Sequence, residues 1–255
     1  MRWIPRGTTI SGTKEFVAMA IIRDISVHAH LLGKVAFADC QRLQDRLEFE
    51  AVDDPSPRIT VLIAEHSPLI TVGRNGSRGH VLLTDQQLRR ERLELRWVSR
   101  GGGCVLHSHG QIAVYVICHL GRLDWSVGNY LSRVRLALVR TCEQFRIQIL
   151  QRPDCGFGVW ARSGQLATLG VAIRRDVTSY GAFLNVNPPM RLFSFVRPAV
   201  LMGDVTSQSS LMAERRQGVK MTAVRVALIE QLSHAFGSEQ CHLQTGHPYL
   251  HNQMR

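Results

Sequence analysis

Lysine is scarce in this 255-residue chain, although the net charge is +11. Arginine supplies 28 of the 31 basic residues, and the three lysines are Lys14, Lys34 and Lys220. No lysine therefore lies between residues 35 and 219. This gap leaves the central body of the chain without an amine for nucleophilic or acid–base catalysis.

Long apolar runs and paired cysteines are also absent. The longest apolar runs, residues 16–22 and 112–118, have seven residues each, whereas a membrane-spanning helix needs about 20. The six cysteines include no C-x-x-C pair, and a chain of this length can build a core without disulfides. We therefore expect a cytoplasmic protein without a membrane partner or a disulfide framework.

The positive charge does not by itself indicate nucleic-acid binding. The densest group of arginines, residues 89–100, is interleaved with Glu91 and Glu94, which is typical of a solvated helix face. Neither a zinc-finger spacing nor an aromatic-rich platform is present. We therefore expect no nucleic-acid partner.

Apolar periodicity predicts an α/β (α+β) fold, a single domain with a mixed central sheet flanked by helices. Strands and helices alternate in clusters, and no linker divides them. The predicted strands are residues 59–65, 69–72, 94–98, 112–120, 158–161, 165–173 and 182–186. The predicted helices are residues 35–52, a short helix after Thr84, residues 127–145, and one or two within 209–236.

The segment from Ser99 to Gln111, SRGGGCVLHSHGQ, is the most informative in the chain. Three consecutive glycines allow the backbone to approach a ligand closely, and Arg100 can bind a carboxylate, phosphate or carbonyl group. A glycine turn between strands with solvated histidines explains the composition equally well. His107 and His109 lack a second pair of ligands at useful spacing, so we expect no metal site.

This segment resembles a motif of the octanoyltransferases of lipoate biosynthesis, which belong to the biotin/lipoate protein ligase superfamily. The family motif reads Arg-Gly-Gly-Gln-Val-Thr-Tyr-His-Gly-Pro-Gly-Gln. The positions that match it are Arg100, Gly101, Gly102, His107, Gly110 and Gln111. Residues 32–37, 65–74, 168–171 and 181–187 resemble further family segments in the same order.

The resemblance implies the biotin/lipoate protein ligase catalytic-type fold over residues 31–237, an N-terminal extension at 1–30 and a C-terminal tail at 238–255. It implies transfer of an octanoyl group from octanoyl-acyl carrier protein to an enzyme cysteine, then to a lysine of a lipoyl domain, by a monomer that needs no cofactor. The substrate-binding residues that it implies are Arg100, Gly101, Gly102, Gly103, Cys104, Val105, Leu106, His107, Thr168, Leu169, Gly170, Gly181, Ala182 and Phe183. Within this set, Leu106, Leu169 and Phe183 are the expected apolar walls of an acyl pocket.

The two reactive residues of that family are not preserved. In register with Thr168, the lysine position holds Gln165, and the cysteine of the family's Pro-Cys-Gly segment falls at Ala199. No cysteine lies between Cys155 and Cys241, so a shifted alignment does not restore it. Loss of a cooperating pair removes covalent catalysis as a unit.

Several hypotheses remain at this point. The chain is a family member with impaired or absent transfer, a non-catalytic protein that binds acyl groups or lipoyl domains, or an enzyme with catalysis relocated to Cys104 or Cys155. An ATP-dependent ligase of the same superfamily is a further alternative, but that branch also depends on a lysine where this chain has Gln165. A family histidine is replaced by Tyr180.

Overall fold

A seven-stranded mixed sheet forms the centre of the computed structural model, which describes residues 25–152, 158–197 and 207–251. Its strands are β1 (Ser26–Lys34), β2 (Arg58–Glu65), β6 (Gln111–Cys118), β7 (Val159–Ala161), β8 (Gly164–Arg174), β9 (Val177–Asn185) and β10 (Gln240–Thr245). The strand order is β10-β1-β2-β6-β9-β8-β7. β1 is parallel to both of its neighbours, whereas the other pairs are antiparallel.

A second sheet has three strands, two of which border the glycine segment. It consists of β3 (Leu69–Val72), β4 (Glu94–Trp97) and β5 (Cys104–His107), with β3 in the middle. The helices are α1 (Phe37–Asp53), α2 (Asp85–Glu91), α3 (Leu120–Leu123), α4 (Val127–Gln144), α5 (Leu211–Arg215), α6 (Met221–Phe236) and α7 (Pro248–His251). No helix in the described part of the chain is both long and apolar enough to cross a membrane.

Three hydrophobic clusters hold these layers together. Helices α4 and α6 cover one face of the large sheet, where Val114 and Val116 meet Leu138 and Leu228. Helix α1 covers the other face, and a smaller cluster lies against the three-stranded sheet. Because alternate residues of a strand point to opposite faces, each central strand supplies side chains to both large clusters.

The predicted mixed α/β architecture is confirmed, and most predicted elements lie within a few residues of their observed bounds. The strand predicted over residues 112–120 was too long. It ends at Cys118, because Leu120 donates its N–H to the Asp176 carbonyl and the chain turns into α3. The predicted helical stretch after residue 209 contains two helices, α5 and α6.

Three strands carried no clear signal in the sequence. β1 begins at Ser26, within the predicted N-terminal extension, and its alternation is obscured by His28 and His30. β10 lies within the predicted C-terminal tail, and its six residues are all exposed, so no apolar alternation marks it. The third is β5, which is short and buried throughout. β1 and β10 pair with each other in the large sheet.

Candidate functional site

The glycine loop, residues 100–103, joins β4 to β5 and lies between β3 and β8. Its backbone is held by hydrogen bonds from Gly73 N to Gly103 O (3.1 Å) and from Gly101 N to Val171 O (2.9 Å). A Cβ atom on Gly170 would lie 2.6 Å from the Gly101 carbonyl oxygen. This close approach requires glycine on the strand, so the loop sits directly on the backbone of β8.

Arg100 is buried beneath this loop and is 2% exposed. Its guanidinium donates to Gly101 O (3.0 Å), to Thr71 Oγ1 (2.7 Å) and to Thr71 O (3.3 Å). Its Nε atom is buried without a hydrogen-bond partner among the described residues. Burial lowers the pKa of Arg100 to about 10, which still leaves the group charged at neutral pH.

No ion pair among the described residues includes Arg100. A buried cation without a carboxylate is costly, because neutral oxygens compensate the lost hydration only in part. An anionic or strongly polar ligand group next to this guanidinium would therefore be stabilised. Arg100 was predicted from the sequence to bind substrate, and that role stays a prediction.

Thr71 connects Arg100 to His107. Its hydroxyl accepts from Arg100 and lies 2.8 Å from His107 Nε2; because Gln111 Oε1 accepts from Nδ1 of this neutral imidazole, Nε2 has no proton and accepts from the hydroxyl. His107 Nδ1 then carries the ring proton and donates to Gln111 Oε1 (3.2 Å). Burial is the main reason that the pKa of His107 lies well below its usual value, and nearby His66 and Arg100 lower it further. His107 is thus a neutral imidazole at physiological pH.

The same chain of hydrogen bonds continues across the sheet to Gln165. Gln111 Nε2 donates to Asn185 Oδ1 (2.9 Å) and to the Leu106 carbonyl (3.1 Å). Asn185 Nδ2 donates to Gln208 Oε1 (3.4 Å), and Gln208 Nε2 donates to Gln165 Oε1 (2.8 Å). We call this series from Arg100 to Gln165 the polar relay.

Gln165, at the predicted lysine position, is buried near the start of β8 and is 7% exposed. Its backbone is bonded on both sides to the segment that follows the undescribed residues 198–206: Gln165 N donates to Ser207 O, and Ser209 N donates to Gln165 O. A Cβ atom on Gly158 would lie 2.6 Å from Gln165 Nε2. The backbone bonds and the Gln208 side chain thus fix the position of this amide.

The described cysteines offer no activated thiol near Gln165. Cys104 is buried with the cluster of the small sheet, where its thiol faces Ser77 O at 3.6 Å. Burial raises its pKa, which disfavours the reactive thiolate. The thiols of Cys118 and Cys142 are also buried, and their pKa values rise to about 12. Cys155 and Ala199 lie outside the described residues.

The residues predicted to bind substrate fall into two sets. Gly101, Leu169 and Gly170 meet at the loop, and His107 contacts Phe183 with ring centroids 4.4 Å apart. The predicted pocket walls do not share one cluster: Leu106 packs against the small sheet, Leu169 faces the α4 side and Phe183 faces α1. The polar members of the site are thus brought together more closely than its predicted apolar walls.

The remaining predicted residues lie on neighbouring strands. Thr168 is paired with Phe183, and Ala182 packs into the cluster beneath α4 and α6. Val105 belongs to the α1 cluster. A Cβ atom on Gly181 would lie 2.4 Å from the Val114 carbonyl oxygen, so glycine is required there by strand packing.

Tyr180, at the position of a family histidine, has a positive φ of 63° within β9. Its N–H donates to Gln44 Oε1 (3.0 Å), and a tyrosine in this conformation is strained. Its side chain lines a polar cavity of about 300 Å³ beside the glycine loop, together with Asp45, Arg74 and Ser99. The cavity mixes acidic and basic groups and is therefore unsuited to an acyl chain.

His66 adds a second neutral imidazole next to His107, with ring centroids 6.2 Å apart. Its Nδ1 donates to Val35 O (2.9 Å), so Nε2 accepts from the Tyr115 hydroxyl (2.6 Å). Burial is the main cause that lowers the pKa of His66 to about 4. The described residues contain no group of three or more side chains placed to hold a metal ion.

Thr71, Asn185 and Gln208 are the site residues that sequence reasoning missed. Thr71 and Asn185 lie within the segments that resemble the family, so their position was an available signal. Gln208 follows the undescribed residues 198–206 and had no such signal. Only the folded strands bring its side chain to Gln165.

The site and fold together define a lipoyl protein ligase A/B catalytic domain: residues 37–234 match that family model, and the chain belongs to this family. The octanoyltransferase of Geotalea uraniireducens is 33% identical over 194 residues, which cover 76% of this chain and 86% of that protein. The octanoyltransferase of Acidobacterium capsulatum is 31% identical over 229 residues, covering 84% and 92%.

Solved structures agree with the fold. A T. acidophilum protein solved with bound lipoic acid superimposes with a TM-score of 0.69 at 14% identity, covering 89% of this chain and 92% of that one. Lipoate-protein ligase A bound with ATP gives a TM-score of 0.69 at 15% identity, covering 88% and 91%. A third structure comes from an archaeal lipoylation system of Thermoplasma acidophilum, described as a bi-partite lipoate protein ligase and its E2 lipoyl domain. It gives a TM-score of 0.68 at 13% identity and covers 89% of this chain and 90% of that one.

Proposed function

We propose that this member of the octanoyltransferase family binds an acyl group, or a protein that carries one, without the covalent transfer of the family. The observation that carries the proposal is Gln165. At the expected place of the catalytic amine, a neutral amide is buried and hydrogen-bonded by Gln208. An amide has no titrating proton near neutral pH and cannot act as the acid or base for a thiol.

Neither of the two lysines in the described part of the chain is buried as Gln165 is. Lys34 is exposed at the end of β1, and Lys220 is exposed at the start of α6. The sequence also has alanine at 199, where the family nucleophile is expected. A thioester therefore meets neither a thiolate nor an amine at the two positions that the family uses.

Relocated catalysis through Cys104 is less well supported than binding. Its thiol faces a backbone carbonyl, and its raised pKa keeps it protonated. A relocated nucleophile would also lack the lysine that activates it in the family. Cys155 remains an alternative for which mass spectrometry is the test: an octanoyl adduct after incubation with octanoyl-acyl carrier protein would support relocation.

Retained binding is supported by Arg100, Gly101 and Gly102, which match the family motif at the glycine loop. The guanidinium is a buried cation with an unpartnered Nε atom, so a carbonyl or carboxylate group beside it would be favourable. We propose octanoyl-acyl carrier protein and lipoyl domains as partners and a cytoplasmic monomer without a cofactor as the acting form. The excess of arginine over acidic residues suits acidic partners.

Complementation of a bacterial strain that lacks its octanoyltransferase tests the proposal. We expect no growth without lipoate when this chain is expressed, and growth when a Geotalea uraniireducens octanoyltransferase is expressed from the same vector. Immunoblotting verifies equal expression. Growth with the unmodified chain would refute the absence of transfer.

A further inference from the structure

The polar relay has a single direction. Gln111 Oε1 can only accept, so the neutral His107 carries its proton on Nδ1 and accepts from the Thr71 hydroxyl at Nε2, and each following amide donates through its nitrogen to the next oxygen. Backbone carbonyls anchor this direction independently: Gln111 Nε2 also donates to Leu106 O, and Asn185 Nδ2 also donates to Ser209 O. Reversing either amide would place its oxygen against a backbone carbonyl oxygen, so that two acceptors would face each other.

The direction determines which atom of Gln165 is engaged. Gln208 Nε2 must donate, so Gln165 Oε1 is the acceptor at the end of the relay. The Nε2 hydrogens of Gln165 are the donors that the relay does not use. A lysine at 165 would bring an ammonium group against the N–H of Gln208, so the relay as built disfavours the family's amine.

We propose that Gln208 is a positioning residue that holds Gln165 as a neutral hydrogen-bond donor, and that the site thereby recognises the carbonyl oxygen of an N-acylated lysine. This inference rests on the proposed function and names the ligand of that same site. A free lysine is itself only a donor and has nothing to offer the Gln165 N–H. An acylated lysine presents an acceptor.

The chemistry favours an amide over a thioester as the bound group. An amide carbonyl is the stronger hydrogen-bond acceptor, because nitrogen donates electron density to the carbonyl more effectively than sulfur does. The site is thus suited to hold the acylated form of a lipoyl domain, which the family makes as its product.

The isosteric substitution Gln208→Glu replaces the donor to Gln165 with an acceptor and so tests the inference. In Gln208→Glu, the carboxylate still accepts from Asn185, but it now also accepts from Gln165 Nε2 and turns that amide around. Gln208→Leu only frees the amide. Gln86→Glu, on the exposed face of α2, is the matched charge control.

The measurement is calorimetric binding of a lipoyl domain with octanoyl-lysine and of the same domain with free lysine. We expect the wild-type chain to prefer the octanoylated domain at least tenfold, Gln208→Glu to lose about tenfold of that preference, and Gln208→Leu to lose less. A purely structural role would make leucine the worse substitution. Gln86→Glu should behave as wild type.

The outcomes separate the two proposals. Absence of binding to either domain by the wild-type chain would refute the proposed function. Binding with no preference, a preference unmoved by Gln208→Glu, or a larger loss with Gln208→Leu would overturn the role of Gln208 alone. Melting temperatures verify folding. If Gln208→Glu fails to fold, Gln165→Glu must show the same loss, because the introduced carboxylate would accept from Gln208 and present no donor.

Discussion

Replacing Thr71 with valine should destabilise the protein by breaking the relay near its charged end. Thr71 is fully buried, and its hydroxyl is the link between the Arg100 guanidinium and His107 Nε2. Valine has nearly the same shape, so the substitution removes two hydrogen bonds without leaving a cavity.

The magnitude follows from these two bonds. A hydrogen bond to a charged donor contributes about 1.5–3 kcal/mol, and an unpaired buried acceptor costs about 1–3 kcal/mol. Arg100 keeps its bonds to the Gly101 and Thr71 carbonyls, which limits the loss. We therefore expect the free energy of unfolding to fall by about 3 kcal/mol in Thr71→Val.

Urea unfolding followed by tryptophan fluorescence and circular dichroism measures this change, with the slope of the transition compared between variants. Thr60→Val, at a half-buried position of β2, is the matched control and should change stability by no more than about 0.5 kcal/mol. If the two variants differed by less than about 0.5 kcal/mol, the relay would contribute nothing to stability.

Three further outcomes are expected. Gly170→Ala should speed amide hydrogen exchange in the glycine loop, because its Cβ would lie 2.6 Å from a loop carbonyl oxygen. Gly218→Ala has open space and should not change the exchange. Equal exchange rates in the two variants would contradict the close contact between the loop and β8. The folded-state pKa of His66, about 4, is lower than its unfolded value of 6.5, so its contribution to stability is present above pH 6.5 and lost as pH falls towards 4. His66→Gln should flatten the fall in melting temperature over that interval, and an unchanged slope would contradict this. Iodoacetamide at neutral pH should label the exposed Cys241 well before the buried Cys104, as measured by peptide mass mapping. Equal labelling would contradict the protection of the Cys104 thiol by burial.

The fold was predictable because buried strands and amphipathic helices leave strong periodic patterns. Most elements from α1 to β9 follow apolar runs that alternate or repeat with the period of their structure, with β5 and the short helix α3 as exceptions. β10 is an edge strand whose six residues are exposed, so burial leaves no trace in its sequence. Its place in the sheet is decided by pairing with β1, which is a long-range contact.

The site was predictable only where a motif names residues. The glycine loop and Arg100 follow from such a motif, and so does the loss of the lysine at 165. The partner of Gln165 did not follow, because Gln208 lies 43 residues away in sequence and the hydrogen bond depends on how segment 207–209 docks onto β8. The burial of Cys104 also depends on tertiary packing, so the sequence left relocated catalysis through this thiol open as a hypothesis.

The intact mass of a lipoyl domain tests the central claim, that this chain binds acyl groups without transferring them. The purified chain is incubated with octanoyl-acyl carrier protein and an unmodified lipoyl domain, beside an active octanoyltransferase. We expect an unmodified lipoyl domain and no octanoyl adduct on the chain, while octanoyl-acyl carrier protein raises its melting temperature. An octanoylated lipoyl domain at a rate near that of the active enzyme would contradict it.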